Sequence, residues 1–141
     1  MKHFLLLFFI LFIFKTKAQE NTAFKEEIFT IVEEMPIYAG CNKSSQQLNN
    51  KCTIKGIINF LLDSVLPLAS EKIVNDLGKI YLSFIVDVDG SARSFSFLNS
   101  DSTLNEKIIN KLMEMPKFTP GKQRGIPVKV KYRIPFYVRI E

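Results

Sequence analysis

From Ile126 to Ile140 every second residue is apolar: Ile126, Val128, Val130, Tyr132, Ile134, Phe136, Val138 and Ile140. Between them stand Lys129, Lys131, Arg133, Pro135, Tyr137 and Arg139. A period of two is the mark of a strand with one face buried and one in water. A chain with such a strand must build a sheet and something to cover its apolar face. Pro135 narrows the choice further. Proline cannot donate to a ladder, so this strand belongs at a sheet edge.

The elements that could provide the cover lie upstream. Thr53 can cap a helix in which Ile54, Ile57, Ile58, Leu61, Leu62 and Val65 share one face, with Pro67 ending or kinking it. "ASEKIVND" adds a further turn before Gly78. Ile80, Leu82, Phe84, Val86 and Val88 then alternate as a strand, and Asp89-Gly90 is a hairpin signal leading into a second strand over 91–99. Ser102 or Thr103 caps a second helix, with Leu104, Ile108, Leu112 and Met115 on one face and Pro116 at its end. The expected fold is α+β: a three-stranded antiparallel sheet of order 2-1-3, with two helices packed on one face. Ahead of it, Phe29, Ile31 and Val32 read as a short extended segment ending at Pro36, and "CNKSSQQLNNKC" as a turn-rich loop.

The first residues read as a leader. Lys2 precedes an unbroken apolar run, Phe4 to Phe14, and Thr16-Lys17-Ala18 offers small residues at −3 and −1 of a signal-peptidase site. A helix of that length reaches ~17 Å, short of a ~30 Å hydrocarbon core. The expected organisation is a signal peptide at 1–18, an N-terminal extension with a disulfide loop at 19–52, and a domain at 53–141. Loss of Lys2, Lys15 and Lys17 takes the net charge from +5 to +2. What remains is polarised: residues 19–115 carry −4 and residues 116–141 carry +6. Export, and the lack of a stacking or groove-reading motif, argue against a nucleic-acid partner. In an exported chain Cys41 and Cys52 are expected to form a disulfide.

Little in the chain points to catalysis. The single histidine, His3, leaves with the leader, so a serine or cysteine nucleophile would lack a histidine base. Two cysteines without histidines cannot complete a structural zinc site. Asp87-x-Asp89-Gly90 resembles a calcium loop only in part, because Ala92 and Leu98 stand where glycine and an acidic residue are needed. "PGKQRG" lacks the glycine spacing of a phosphate loop. No metal, cofactor, enzymatic activity or small-molecule substrate is expected. Lys129, Lys131, Arg133 and Arg139 form a basic outer face on the last strand. Lysines on an edge discourage aggregation; the same groups would favour an acidic strand docking there.

"LSFIVDVDGSARSFSFLNS" and "LNEKIINKLMEMPKFTPGKQRGIPVKVKYRIPFYVRI" together resemble the TonB C-terminal domain family, over roughly 66–140. "VEEMPIYAGC" with the following "KC" is similar to the lead-in of one bacterial version. The resemblance implies a small periplasmic domain, acting in TonB-dependent transport, that binds the TonB box of outer-membrane transporters as a strand added to its sheet. By position the acceptor would be Tyr132, Arg133, Ile134, Pro135, Phe136, Tyr137 and Val138, working mostly through main-chain groups. Leu66-Pro67 stands where tyrosine-proline is common in the family, and Phe118 where tryptophan is common. Complete TonB proteins also have a membrane helix and a proline-rich spacer. Here Gln19 to Val32 spans at most ~45 Å, so a secreted, stand-alone version is expected. The alternative is a structural envelope protein that forms a homodimer or docks in an assembly through the same edge.

Overall fold

A computed structural model describes residues 26–68, 80–98 and 106–136. The expected leader, the turn before Gly78, the caps at Ser102 or Thr103, Leu104, and Tyr137 to Ile140 lie outside the described residues. The architecture is mixed α+β, with two α-helices and a four-stranded mixed sheet.

The stretch between the two cysteines is not the loop its composition implies. Helix α1 spans Gln46–Phe60 and starts well before Thr53. Its cap is Ser45, whose hydroxyl accepts the Leu48 amide at 3.3 Å, the usual serine role at an N-terminus. No glycine or proline in "QQLNNK" stops the helix, and its polarity reflects a first turn facing water. Thr53 lies fully buried inside the helix, where its hydroxyl accepts the Tyr38 amide at 3.0 Å. The boundary expected at 52/53 therefore falls within α1. Cys52 is helical, and its disulfide to Cys41, with Cα atoms 5.8 Å apart, ties α1 to the preceding loop. A short loop closed in this way is worth roughly 3 kcal/mol in the chain-entropy account.

Beyond Phe60 the chain makes a π-helical turn, Leu61–Val65, and a 3-10 turn, Leu66–Leu68, that carries Pro67. The buried strip is Thr53, Ile57, Leu61 and Val65; Ile54 and Leu62, expected on the same face, are each 42% exposed. The apolar face of the helix is thus wider than the stripe it buries.

Strands β2 (Ile80–Val86) and β3 (Ala92–Leu98) are antiparallel. The Asp-Gly turn joins them. The Gly90 amide donates to Asp87 O, and the Asp87 amide to Ser91 O, both at 2.9 Å. Gly90 has φ +83°, and a Cβ there would sit 2.0 Å from Phe118 O. Only glycine meets both conditions. Val88 lies in this turn and is exposed, rather than extending the buried face of β2. On β3 the register slips between Ser83↔Ser96 and Ile85↔Arg93, which adds one residue to β3. The extra residue is a β-bulge at Ser94, φ 56°. It moves the inward positions from Ala92 to Phe95 and Phe97, both of which pack on the core.

Helix α2, Glu106–Met113, buries Ile108 and Leu112, and Met115 follows them into the core. Strands β4 (Lys122–Gln123) and β5 (Ile126–Pro127) form a small separate hairpin. The last long strand therefore begins later than its alternation implies. β6 spans Lys129–Phe136, while Ile126 stands 65% exposed in the hairpin. The Val128 amide donates to Gly121 O at 3.0 Å where the chain turns into β6.

The sheet order is β1-β6-β2-β3, with β1 being Ile28–Phe29. The expected sheet of three antiparallel strands is corrected in two respects. It has a fourth strand, and that strand runs parallel to β6. β1 was too short to show a period, but it completes a mixed sheet. Leu82, Phe84, Val86, Tyr132 and Ile134 meet Ile57, Leu61 and Val65 from the first helical segment, with Ile108 and Leu112 from α2, in one cluster. Phe84 is at its centre, with ring centroids 5.7 Å from Phe95, 6.1 Å from Phe118 and 5.5 Å from Tyr132. The segment expected to be a separate extension joins this body. Val32 and Pro36 are buried, and Glu34 and Ile37 bridge to Lys122 and Thr119.

Candidate functional site

β6 has two sides and two faces, and they differ. On its inner side it pairs antiparallel with β2 from Val86↔Val130 to Ile80↔Phe136. On its outer side β1 pairs only with Lys129 and Val130. From Lys131 to Phe136 no strand among the described residues lies on that outer side.

The inner face is core. Val130, Tyr132 and Ile134 are buried. Tyr132 stacks on Phe84 with an 18° interplanar angle, and its hydroxyl donates to Pro36 O at 2.9 Å. Burial pushes the Tyr132 phenol well above its ordinary pKa. Of the residues expected to form an acceptor, Tyr132 and Ile134 thus have their side chains committed inward. Their side chains are not available to a partner on the outer side. Arg133 and Pro135 are exposed on the outer face, and Phe136 ends the strand opposite Ile80. Tyr137, Val138 and Arg139 lie outside the described residues.

The basic outer face is not uniform. Lys131 and Arg133 are exposed. Lys129 is engaged by the Glu26 carboxylate and lies 3.9 Å from Asp87. The hydrogen bond to Glu26 leads in raising the Lys129 pKa, and the Asp87 charge adds to it against some desolvation. Asp87 also meets Arg93 at 3.3 Å, and Arg93 meets Asp89 at 3.4 Å. The result is a chain of alternating charges from β1 across β6 to the hairpin. Glu26, 103 positions from Lys129 in the sequence, gave no sign of this role. The only hint was the short extended segment that contains β1.

A cleft of about 380 Å³ lies elsewhere, against the start of α1. Glu34, Ile37, Lys43, Gln46, Asn49 and Lys122 are among the residues lining it. They come from segments far apart in the chain, so no local pattern could announce it. Comparison with family models, with curated proteins and with solved structures returns no match for this chain.

Proposed function

We propose that this protein is a periplasmic protein-binding module, exported by a cleaved leader, that takes up an extended partner segment as an added strand on the outer side of β6. The partner class is the one implied by its resemblance to TonB C-terminal domains, namely the TonB-box segments of outer-membrane transporters. One observation carries the reading: from Lys131 to Phe136 no strand among the described residues lies on the outer side of β6, and that stretch is bordered by exposed Lys131 and Arg133. Strand addition draws affinity from main-chain hydrogen bonds, each worth about 1 kcal/mol net. Pro135 withholds one donor from that row. The two cations steer acidic segments toward the edge and speed encounter at low salt.

Titration with peptides copied from transporter N-termini tests the proposal. Amide chemical-shift changes at Lys131–Phe136, with β3 unperturbed, are expected. Absence of binding to every such peptide would sink it. Self-association through the same edge predicts instead a concentration-dependent dimer that Arg133→Pro abolishes, and sedimentation of both proteins separates the two cases.

A further inference from the structure

The outer edge of β6 is already occupied at one end. β1 lies parallel to it, with Ile28 opposite Lys129 and Phe29 opposite Val130. Glu26, two positions ahead of that apolar pair, holds Lys129. The contact is short. β1 has two residues, where ordinary strands have about five or six. Ile28 stays 44% exposed even when paired, and Ile31 is 83% exposed. Neither anchors the segment strongly to the sheet.

We propose that β1 is an internal ligand of the acceptor edge, and that the true partner is a longer parallel segment with the same pattern, an acidic residue two positions before an apolar pair. This rests on the strand-addition reading above. Directly opposed residues of neighbouring strands place their side chains on the same face. The register Ile28↔Lys129, continued in parallel, sets Thr30 opposite Lys131 and Val32 opposite Arg133. Neither residue can answer a cation, and Val32 is instead buried. Among the described residues Lys131 and Arg133 have no ion-pair partner. A partner with acidic residues at those two positions would match the edge better than the chain's own segment, and would displace it.

Two peptides and the purified full-length chain test this. The first, FKEEIFTIV, copies residues 24–32. The second, FKEEIFEIE, puts acidic residues opposite Lys131 and Arg133. The Glu26→Lys variant turns the β1 latch into a repulsion without touching the core. If β1 occupies the edge about nine-tenths of the time, releasing it raises apparent peptide affinity about ten-fold. The second peptide should therefore bind Glu26→Lys about ten-fold more tightly than wild type. Lys131→Glu with Arg133→Glu should weaken the second peptide about ten-fold and leave the first nearly unchanged. Amide exchange at Lys129 should speed up in Glu26→Lys while Leu82 and Phe84 stay protected, which also reports that the variant is folded. Equal affinity of both peptides, or equal affinity of wild type and Glu26→Lys, overturns the inference. If transporter peptides bind both proteins equally, strand addition stands and only the internal ligand falls. If no extended peptide binds either protein, both readings fail.

Discussion

Along β3 the outer edge is broken: three steps from Arg93 to Ser96 face two on β2, and Ser94 holds φ 56°. Along β6 the outer edge continues from Lys131 to Phe136 with no register shift against β2. The charges differ as well. On the β3 side Arg93 is answered by Asp87 and Asp89. On the β6 side Lys131 and Arg133 are unanswered among the described residues. A bulge twists an edge and spoils it as a template for another chain. A straight edge with a row of like charges stays soluble and still presents its backbone. The same sheet thus has one margin broken by a bulge and one that runs straight, and the difference lies in a single inserted residue as much as in charge.

The largest effect is expected where the two margins share an anchor. Phe84 touches Phe95 of β3 and Tyr132 of β6, so Phe84→Ala removes support from both. The expected cost is about 3–5 kcal/mol, read from the urea midpoint. Amide protection on β3 and β6 should fall together. Protection lost on one strand alone would show that the margins are separate cooperative units.

The parts of this picture that showed in the sequence are those in which one local period meets one buried face. Leu82, Phe84 and Val86 on β2, and Val130, Tyr132 and Ile134 on β6, alternate as required and are buried. The Asp-Gly turn and the Ile108–Leu112 face of α2 were equally plain. Other features depend on partners remote in sequence or on spans too short to have a period. β1 is two residues long, so it shows no alternation. The start of α1 hides in a solvated polar run, where Ser45 was one serine among several turn residues. The bulge at Ser94 is silent because an aromatic or aliphatic residue stands on both sides of any register near Phe95, Phe97 and Leu98. At the candidate site the cations were legible but their pairing was not. Only folding brings Glu26 to Lys129 and, among the described residues, leaves Lys131 without an ion pair.

The next effect sharpens the β6 side. Tyr132→Phe deletes the hydrogen bond to Pro36 O, and is expected to cost about 1 kcal/mol, more if the carbonyl is left dry. It should also change the alkaline limb. Burial raises the Tyr132 phenol in the folded state, while in the unfolded chain it ionises near pH ~10. Above that pH the unfolded state sheds a proton that the folded state retains, so stability falls as pH rises. In Tyr132→Phe that decline should be shallower, leaving the contributions of Tyr38, also raised by burial, and of Lys129, raised by its hydrogen bond to Glu26. Equal alkaline slopes in urea melts of the two proteins would contradict the assignment.

Ser94→Gly acts on the other margin and in the opposite direction. A non-glycine residue at φ 56° carries a conformational cost that glycine avoids, so a gain of about 0.5–1 kcal/mol is expected. Ser94→Val should lose about as much, since β-branched residues tolerate this region least. Neither change should alter peptide binding at β6. A Ser94 variant that altered it would mean that the two edges communicate through β2.

The smallest effect shows as a pH dependence in acid. Hydrogen bonds from the Ser91 hydroxyl and amide, aided by the charges of Lys117 and Arg93, hold the Asp89 carboxyl at about 2. Its ordinary value is about 3.9. A carboxyl lowered on folding contributes stability that is complete above pH ~4 and lost as pH falls toward ~2. Asp89→Asn should therefore lower the urea midpoint slightly at pH 6, flatten its fall between pH 4 and pH 2, and meet the wild type near pH 2. Asp89 is exposed, so the difference is small and shrinks further in salt. It should also be local. Amides of β3 and the hairpin should lose protection first in acid, and those of β6 beyond Val130 should not follow. If acid instead loosened Lys131–Phe136 to the same degree, the chain of charges through Asp87 and Lys129 would be holding both margins. The straight edge would then depend on the broken one.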